Sequence, residues 1–234
     1  MQAVTIGRNL VVGTFIKEEK NRFLCLVEVN KTETVCYISS SCRLSNFLRL
    51  DGRQVLLRPI KSKKARTEYS VFAVKSSRRF IPIDLSIANR VIEEQMVHCK
   101  FSFLGKRKNI AREAMIDGYR ADLFISDTNT LIEIKSIISF EDEAVFPSVY
   151  SERAVKQLAK IKELLQRGYR VCYMLVSLNS VVKQVTINQH MGKYYELFLE
   201  CTDLGMHCCG YSIYLRKGVP TMCSKIRVHL SRPD

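Results

Sequence analysis

The chain has 234 residues, 47% of them hydrophobic, and carries 37 Lys and Arg against 23 Asp and Glu for a net charge of +14. That apolar content excludes a disordered polyelectrolyte, and the length suits one large domain or two small ones around a buried core. No apolar run of about 18 residues occurs, and the opening Met1-Gln-Ala-Val-Thr-Ile-Gly-Arg8 lacks the charged-then-apolar pattern of a secretory leader, so a cytoplasmic protein without a membrane span is expected.

Residues 1 to 80 read as short strands at 10–16, 22–29, 34–39, 54–60 and 69–74, with Asn30-Lys31 and Asp51-Gly52 as turn signals. Five such strands suit a small OB-like barrel, an architecture that often binds single-stranded nucleic acid. Of its aromatic residues Phe15, Phe23, Tyr37, Phe47, Tyr69 and Phe72, most belong in the core and two or three at most could stack on bases. The charged run Lys17 to Arg22, which contains Glu18-Glu19-Lys20, reads as a solvated turn. Between the fourth and fifth strands, Lys61-Ser-Lys63-Lys64-Ala-Arg66 forms a basic loop suited to phosphate contact. Charge is concentrated in this half: residues 1 to 108 hold 21 Lys and Arg against 9 Asp and Glu (+12), residues 109 to 234 hold 16 against 14 (+2). A basic segment joined to a near-neutral one suggests a polyanion-binding module attached to a working domain, with nucleic acid, DNA before RNA, as the partner.

Residues 81 to 234 change period. Asp84 or Ser86 can cap a helix that carries Ile87, Val91, Ile92 and Met96 on one side and runs to about Val97. Strands at 113–116, around Asp122 and around Glu133 follow. Ser151 then caps a longer helix with Ala154, Val155, Leu158, Ile161, Leu164 and Leu165 on its apolar face, ended by Gly168. Tyr169 to Leu178 is apolar enough to be a buried central strand, and a helix from Tyr194 to Leu204 and a strand from Cys208 to Leu215 complete the order. The expected fold is therefore mixed α/β: an OB-like barrel at 1 to 80, then a mixed sheet with helices on both faces at 81 to 234. The nine cysteines lie mostly in apolar runs and include no Cys-x-x-Cys pair, so they read as buried, reduced thiols and not as zinc ligands.

The chemistry concentrates in Arg120-Ala-Asp122-Leu-Phe-Ile-Ser126 and, after a short turn, Leu131-Ile-Glu133-Ile-Lys135-Ser136. Strand alternation puts Glu133 and Lys135 on one face while Ile132 and Ile134 enter a core. A hairpin closed by an even number of loop residues sets Asp122 on that same face, within about one residue of them. Two carboxylates and an amine at the ends of apolar strands are the raw material of a metal-dependent phosphodiester-cleaving site. Carboxylates take a divalent cation such as Mg2+ or Mn2+, which polarises the phosphoryl oxygen and activates water, and the lysine can stabilise developing charge. The same groups on a surface hairpin would form only a cross-strand ion pair.

With that order in place, residues 111 to 168 resemble the sugar fermentation stimulation protein A (SfsA) family. Arg120-Ala-Asp122 is similar to its Ser-Arg-x-Asp-Phe element, Ile132-Glu133-Ile-Lys135-Ser136 to its Glu-Val-Lys-Ser element, and Phe146-Pro147 with Ser151-Glu152-Arg153 to its Phe-Pro-Asp-Ala-Val-Thr-Glu-Arg-Gly element. Ala88-Asn89-Arg90 also resembles the family. The departures are Leu123 and Ser148 within these elements, and Tyr37-Ile-Ser39-Ser40-Ser41-Cys42 where the family has His-Cys-Pro-Asn-Thr-Gly. The resemblance implies an OB-like first domain and a second domain of the PD-(D/E)xK nuclease type, with DNA binding and, in some members, nuclease activity. On that pattern Asp122 and Glu133 ligate magnesium, Lys135 is the catalytic lysine and Glu113 is the preceding carboxylate. Arg120, Ser136, Glu152, Arg153 and Lys156 are expected to line the nucleic-acid site, Arg153 and Lys156 meeting phosphate. The function expected is a magnesium-dependent nuclease or nuclease-like DNA-binding protein. The family's link to sugar metabolism supports the alternative, a non-catalytic DNA-binding regulator. Replacing Lys61, Lys63, Lys64 and Arg66 by Ala is expected to flatten the log–log salt dependence of nucleic-acid affinity, by about 0.7–0.9 per lost phosphate contact. An unchanged slope in a salt titration would remove this loop from the interface.

Overall fold

The computed structural model describes residues 10–39, 43–62, 64–216 and 218–231. The first part comprises β1 (Val11–Glu18), β2 (Leu24–Val29), β3 (Thr32–Ile38), β4 (Gln54–Pro59), β5 (Tyr69–Ser76) and β6 (Arg79–Pro82). They lie in the order β3-β2-β1-β4-β5-β6, and a parallel pairing of β3 with β5 at Tyr37↔Ser70 and Ile38↔Val71 closes β1 to β5 into a barrel. Alternation drives the closure: Cys25, Val27 and Val29 of β2, Cys36 and Ile38 of β3, and Val55 and Leu57 of β4 are buried inside while their neighbours face out. A Cβ at Gly13 would lie 2.6 Å from a Val27 methyl and 2.9 Å from the Glu28 carbonyl oxygen, so glycine permits the close approach of β1 to β2.

Glu18 corrects one reading of the sequence. The run from Lys17 is not wholly a solvated turn, because β1 continues through Glu18, whose carboxylate accepts from the backbone N–H of Leu44 at 2.8 Å and of Ser45 at 2.9 Å. It neutralises the exposed donors of the 3-10 turn Leu44–Asn46.

The second part comprises α1 (Ser86–Gln95), β7 (Ile110–Ile116), β8 (Tyr119–Ile125), β9 (Thr130–Ile137), β10 (Glu143–Phe146), α2 (Glu152–Gln166), β11 (Arg170–Ser177), β12 (Gln184–Ile187), α3 (Lys193–Asp203), β13 (His207–Arg216) and β14 (Val219–His229). The sheet runs β10-β12-β14-β13-β11-β9-β8-β7. Its centre, β9, β11 and β13, is parallel, and β7, β8 and β9 form an antiparallel meander. Buried β11 has seven consecutive inaccessible residues, as its continuous apolar run requires. Helix α1 covers the face bearing Leu123, Ile125, Ile132 and Ile134, and α2 and α3 cover the face bearing Leu131, Ile137, Val171 and Tyr173. Ser151 caps α2 by accepting from the N–H of Ala154 at 3.3 Å, and Gly168 follows with φ +87°. At α1 the capping oxygen belongs to Asp84, which accepts from the N–H of Ser86 at 3.1 Å.

The domain break expected at residue 80 falls inside β6, which still pairs with β5. One apolar cluster runs from Phe15, Val27 and Leu57 in the barrel through Ile87, Val91 and Phe101 to Ile132, Met174 and Tyr211 in the second sheet. Arg79 donates to the hydroxyl of Ser180 at 3.2 Å, and the Arg53 guanidinium lies 4.3 Å from the Phe140 ring centroid. No helix among the described residues is long and apolar enough to cross a membrane.

Because the cluster is shared, the two parts are expected to unfold together. Phe101 is fully buried with its ring 5.2 Å from that of Tyr211, so Phe101→Ala should destabilise the whole chain by about 3–5 kcal/mol. Urea denaturation followed by far-ultraviolet dichroism and by tyrosine fluorescence should give one coincident transition, shifted to lower urea; two separated transitions would contradict the shared core.

Candidate metal and nucleic-acid site

Residues 126–129 join β8 to β9, with a 3-10 turn at Ser126–Thr128 and Asn129 in the left-handed region at φ 51°. The ladder pairs Ile125 with Thr130, Phe124 with Leu131 and Leu123 with Ile132. One further step would set Asp122 opposite Glu133, which is the even parity read from the sequence. The ladder ends before that step. Leu123 and Ile125 lie in the core beneath α1, whereas Tyr119 and Ala121 lie in the core beneath α2 and α3, so the alternation of β8 changes phase at Asp122. On β7, Glu113 sits between the pairs Arg112↔Leu123 and Ala114↔Ala121 with φ +46°, a costly conformation for a residue other than glycine. Both strands depart from regularity at the same level.

The departure lets the Asp122 carboxylate enter the space between β8 and β9. Its Oδ2 accepts from the backbone N–H of Ile134 at 2.7 Å, and its Oδ1 accepts from the side-chain amide of Asn89 on α1 at 3.0 Å. Glu133, only 4% exposed, accepts from Tyr119 Oη at 2.5 Å and from Lys135 Nζ at 2.6 Å. Lys135 also donates to Gln157 Oε1 on α2 at 2.9 Å. Burial, and then the negative charge of Glu133, pushes the Asp122 carboxyl up to about 6, against the lowering effects of the Ile134 N–H, Lys135 and Asn89. Burial, and then Glu133, also pushes the Tyr119 phenol well above its ordinary range, so it remains a hydrogen-bond donor at neutral pH.

Beside these groups lies a groove of ≈ 700 Å³. Asp122 and Glu133 lie among its lining residues, and α2 contributes Glu152, Arg153, Lys156, Gln157 and Lys160. Arg153, Lys156, Gln157 and Lys160 follow i, i+3, i+4, i+7 spacing and therefore share one face of the helix. Glu113 and Arg120 also line the groove and form an exposed ion pair with each other. Ser136 has a different local partner, donating from its hydroxyl to the carbonyl of Leu85 at 3.0 Å and tying the start of α1 to β9. Lys61, Lys64 and Arg66 are exposed on the barrel between β4 and β5, and Lys63 lies outside the described residues.

Asn89, Tyr119, Gln157 and Lys160 were not among the site residues read from the sequence. Helical spacing from Arg153 could have found the two on α2, and Asn89 stands in the Ala88-Asn89-Arg90 stretch. Nothing local marks Tyr119, since its place depends on the phase change at Asp122.

Among the described residues no group of three or more His, Cys, Asp and Glu side chains could hold a metal ion. Two close carboxylates nevertheless suit a hard cation of the Mg2+ type, which keeps several waters and takes only one or two carboxylates besides substrate phosphate. The raised proton affinity of Asp122 comes first from burial and second from the neighbouring charge of Glu133.

Residues 18–83 match the SfsA N-terminal OB domain, and residues 86–218 match the sugar fermentation stimulation protein RE domain. The chain belongs to the SfsA family. The sugar fermentation stimulation protein homologue of Clostridium kluyveri is 28% identical over 192 residues, covering 80% of this chain and 83% of that one. The homologue of Clostridium tetani is 26% identical over 231 residues, covering 96% and 99%. A solved structure of SfsA from Pyrococcus furiosus, described as in complex with Ca2+, aligns with a TM-score of 0.81 at 18% identity over 98% of this chain and 100% of that one. That likeness fixes the fold. The SfsA second-domain match spans every groove residue from β7 to α2, and the OB match ends one residue past β6.

The position of Asp122 in this SfsA fold has a pH signature. A carboxyl raised above its unfolded value binds its proton more tightly in the folded state, so its contribution is fully present below about pH 4 and is lost as pH rises towards 6. Asp122→Asn should therefore raise the melting temperature at pH 7.5 but leave it nearly unchanged at pH 4, a gain of roughly 2–3 kcal/mol at most. Thermal melts at the two pH values check this, and a uniform loss of stability would refute the assigned sign.

Proposed function

We propose that this SfsA-family protein is a divalent-cation-dependent nuclease acting on DNA in the cytoplasm, with the barrel holding substrate and the second domain carrying the reaction. The observation that carries this reading is the convergence of Asp122, Glu133 and Lys135 at the edge of a groove whose α2 wall presents Arg153, Lys156 and Lys160. Asp122 and Glu133 would hold Mg2+ or Mn2+, and such an ion, when bound, supplies charge neutralisation at phosphorus and an acidified water.

The chain's own residues have separable tasks. Asn89 and the Ile134 N–H fix the Asp122 carboxylate, and Tyr119 fixes that of Glu133. Lys135, held between Glu133 and Gln157, presents an ammonium where negative charge develops on the phosphoryl oxygens. Arg153 and Lys156 pair with backbone phosphates and orient the strand across the carboxylates. Glu152 complements the positive end of α2. The exposed loop residues Lys61, Lys64 and Arg66 add sequence-independent affinity from the barrel. The Ca2+ named with the Pyrococcus furiosus relative supports a hard-cation site in the family. The eight free cysteines among the described residues suit a reducing compartment.

Asp122→Asn, Glu133→Gln and Lys135→Ala should each abolish Mg2+-dependent cleavage. DNA affinity should stay within about threefold, because most phosphate contacts lie elsewhere. Cleavage assays on single- and double-stranded DNA and RNA, with Mg2+, with Mn2+ and with chelator, test this. Wild-type protein that binds DNA without cutting it would support the non-catalytic regulator instead, and fully active variants would place the activity at another site.

A further inference from the structure

The second domain holds another cavity, of ≈ 320 Å³, that shares no lining residue with the groove beside Asp122. It lies where two helices end and the chain turns back into the sheet. Leu165 belongs to the last turn of α2, Leu204 follows α3, Arg170 opens β11 and His207 opens β13, while Phe103 comes from the 3-10 segment Cys99–Leu104. The volume is at the lower end of the range for small-molecule sites.

The walls are apolar and aromatic. Phe103 and Leu204 line the cavity yet remain 40% and 42% exposed, and the Phe103 ring centroid lies 4.9 Å from that of His207. The buried polar atoms beneath are already engaged: Thr130 donates from its hydroxyl to the Thr128 carbonyl at 3.2 Å, and Cys172 Sγ lies 3.8 Å from Cys209 Sγ. Arg170 is not. It is exposed, its guanidinium donates a long hydrogen bond to the Phe103 carbonyl at 3.5 Å, and it forms no ion pair among the described residues. No Asp or Glu lines the cavity. The adjoining residues 97–108 carry Lys100, Lys106, Arg107 and Lys108 with no acidic residue, so the local field favours an anion.

A cation here could serve only the negative ends of α2 and α3. Their last carbonyls, however, are taken by the N–H groups of Gly168, Tyr169, Gly205 and Met206. What remains of the two dipoles explains a positive charge but not an open cavity lined by rings at its side.

We propose that this cavity binds a small aromatic carboxylate. The ring of the ligand packs against Phe103, Tyr169 and Leu204, and its carboxylate pairs with the Arg170 guanidinium. An inorganic anion would leave the apolar walls uncovered, and a neutral aromatic would leave Arg170 without its partner. Because the two cavities share no residue, the site stands whether or not the groove cuts DNA.

Isothermal titration calorimetry of the full chain with 2-naphthoate and with neutral 2-naphthamide tests this. 2-Naphthoate should bind at one site with a Kd below about 1 mM, and about tenfold or more tightly than the amide. Arg170→Gln should remove that preference and leave amide affinity within about twofold. Leu204→Trp, which fills the cavity from an exposed position, should abolish binding of both probes. Equal affinity for the two probes in the wild type, no binding of 2-naphthoate at millimolar concentration, or 2-naphthoate affinity unchanged in Leu204→Trp overturns the proposal. Should either variant fail to fold, wild-type crystals soaked in 6-bromo-2-naphthoate and measured at the bromine edge decide. An anomalous peak between Phe103 and Leu204 supports the site; a peak only elsewhere, as beside the basic row of α2, overturns it.

Discussion

The second domain depends on one substitution of partners: the Asp122 carboxylate, and not a backbone carbonyl of β8, accepts the N–H of Ile134 on β9. A buried peptide donor left unpaired costs about 1–3 kcal/mol, so ending the β8–β9 ladder early is tolerable only because a side chain takes its place. The same contact brings an anion to a position where burial penalises it. Asp122 is thus held in place by hydrogen bonds and is electrostatically undersupplied, the combination in which an added cation gains most.

Everything around Asp122 is arranged on the two sides of that opening. Helix α1 reaches it from one face of the sheet through Asn89, and the hydroxyl of Ser136 locks the helix start to β9. From the other face α2 supplies Gln157 to Lys135 and the basic row Arg153, Lys156 and Lys160. Apolar packing makes these placements firm, since Leu158, Ile161, Leu164 and Leu165 fix α2 against β11 and its neighbours. Anions lie at the floor of the groove and cations on its α2 wall, the separation that the proposed metal ion and phosphate chain would require. A uniformly basic surface would bind the chain but not the ion.

The sequence was legible where periodicity was strong. The barrel strands, α1, α2, α3 and the buried run of β11 follow from apolar spacing and caps, and the burial of their apolar faces agrees with them. Four strands were missed. β6, β10 and β12 are only four residues long, and β14 mixes Pro220, Ser224 and Lys225 into its alternation, so backbone pairing holds them more than any apolar pattern does. In the site, Glu133 and Lys135 obey the period of two, but Asp122 reaches them by breaking it. No window of residues encodes that break. It arises from Glu113 on one neighbour and Ile134 on the other, which is why Tyr119 and Asn89 escaped notice.

The central claim is that Asp122 and Glu133 together hold a hard divalent cation. Crystals grown with Mn2+ and measured at the manganese absorption edge test it most directly. The account predicts an anomalous-difference peak within about 2.0–2.3 Å of a carboxylate oxygen of each residue, absent from crystals of Asp122→Asn. A strong peak elsewhere with none between these carboxylates, or no peak at saturating Mn2+ with the groove open to solvent, would contradict it.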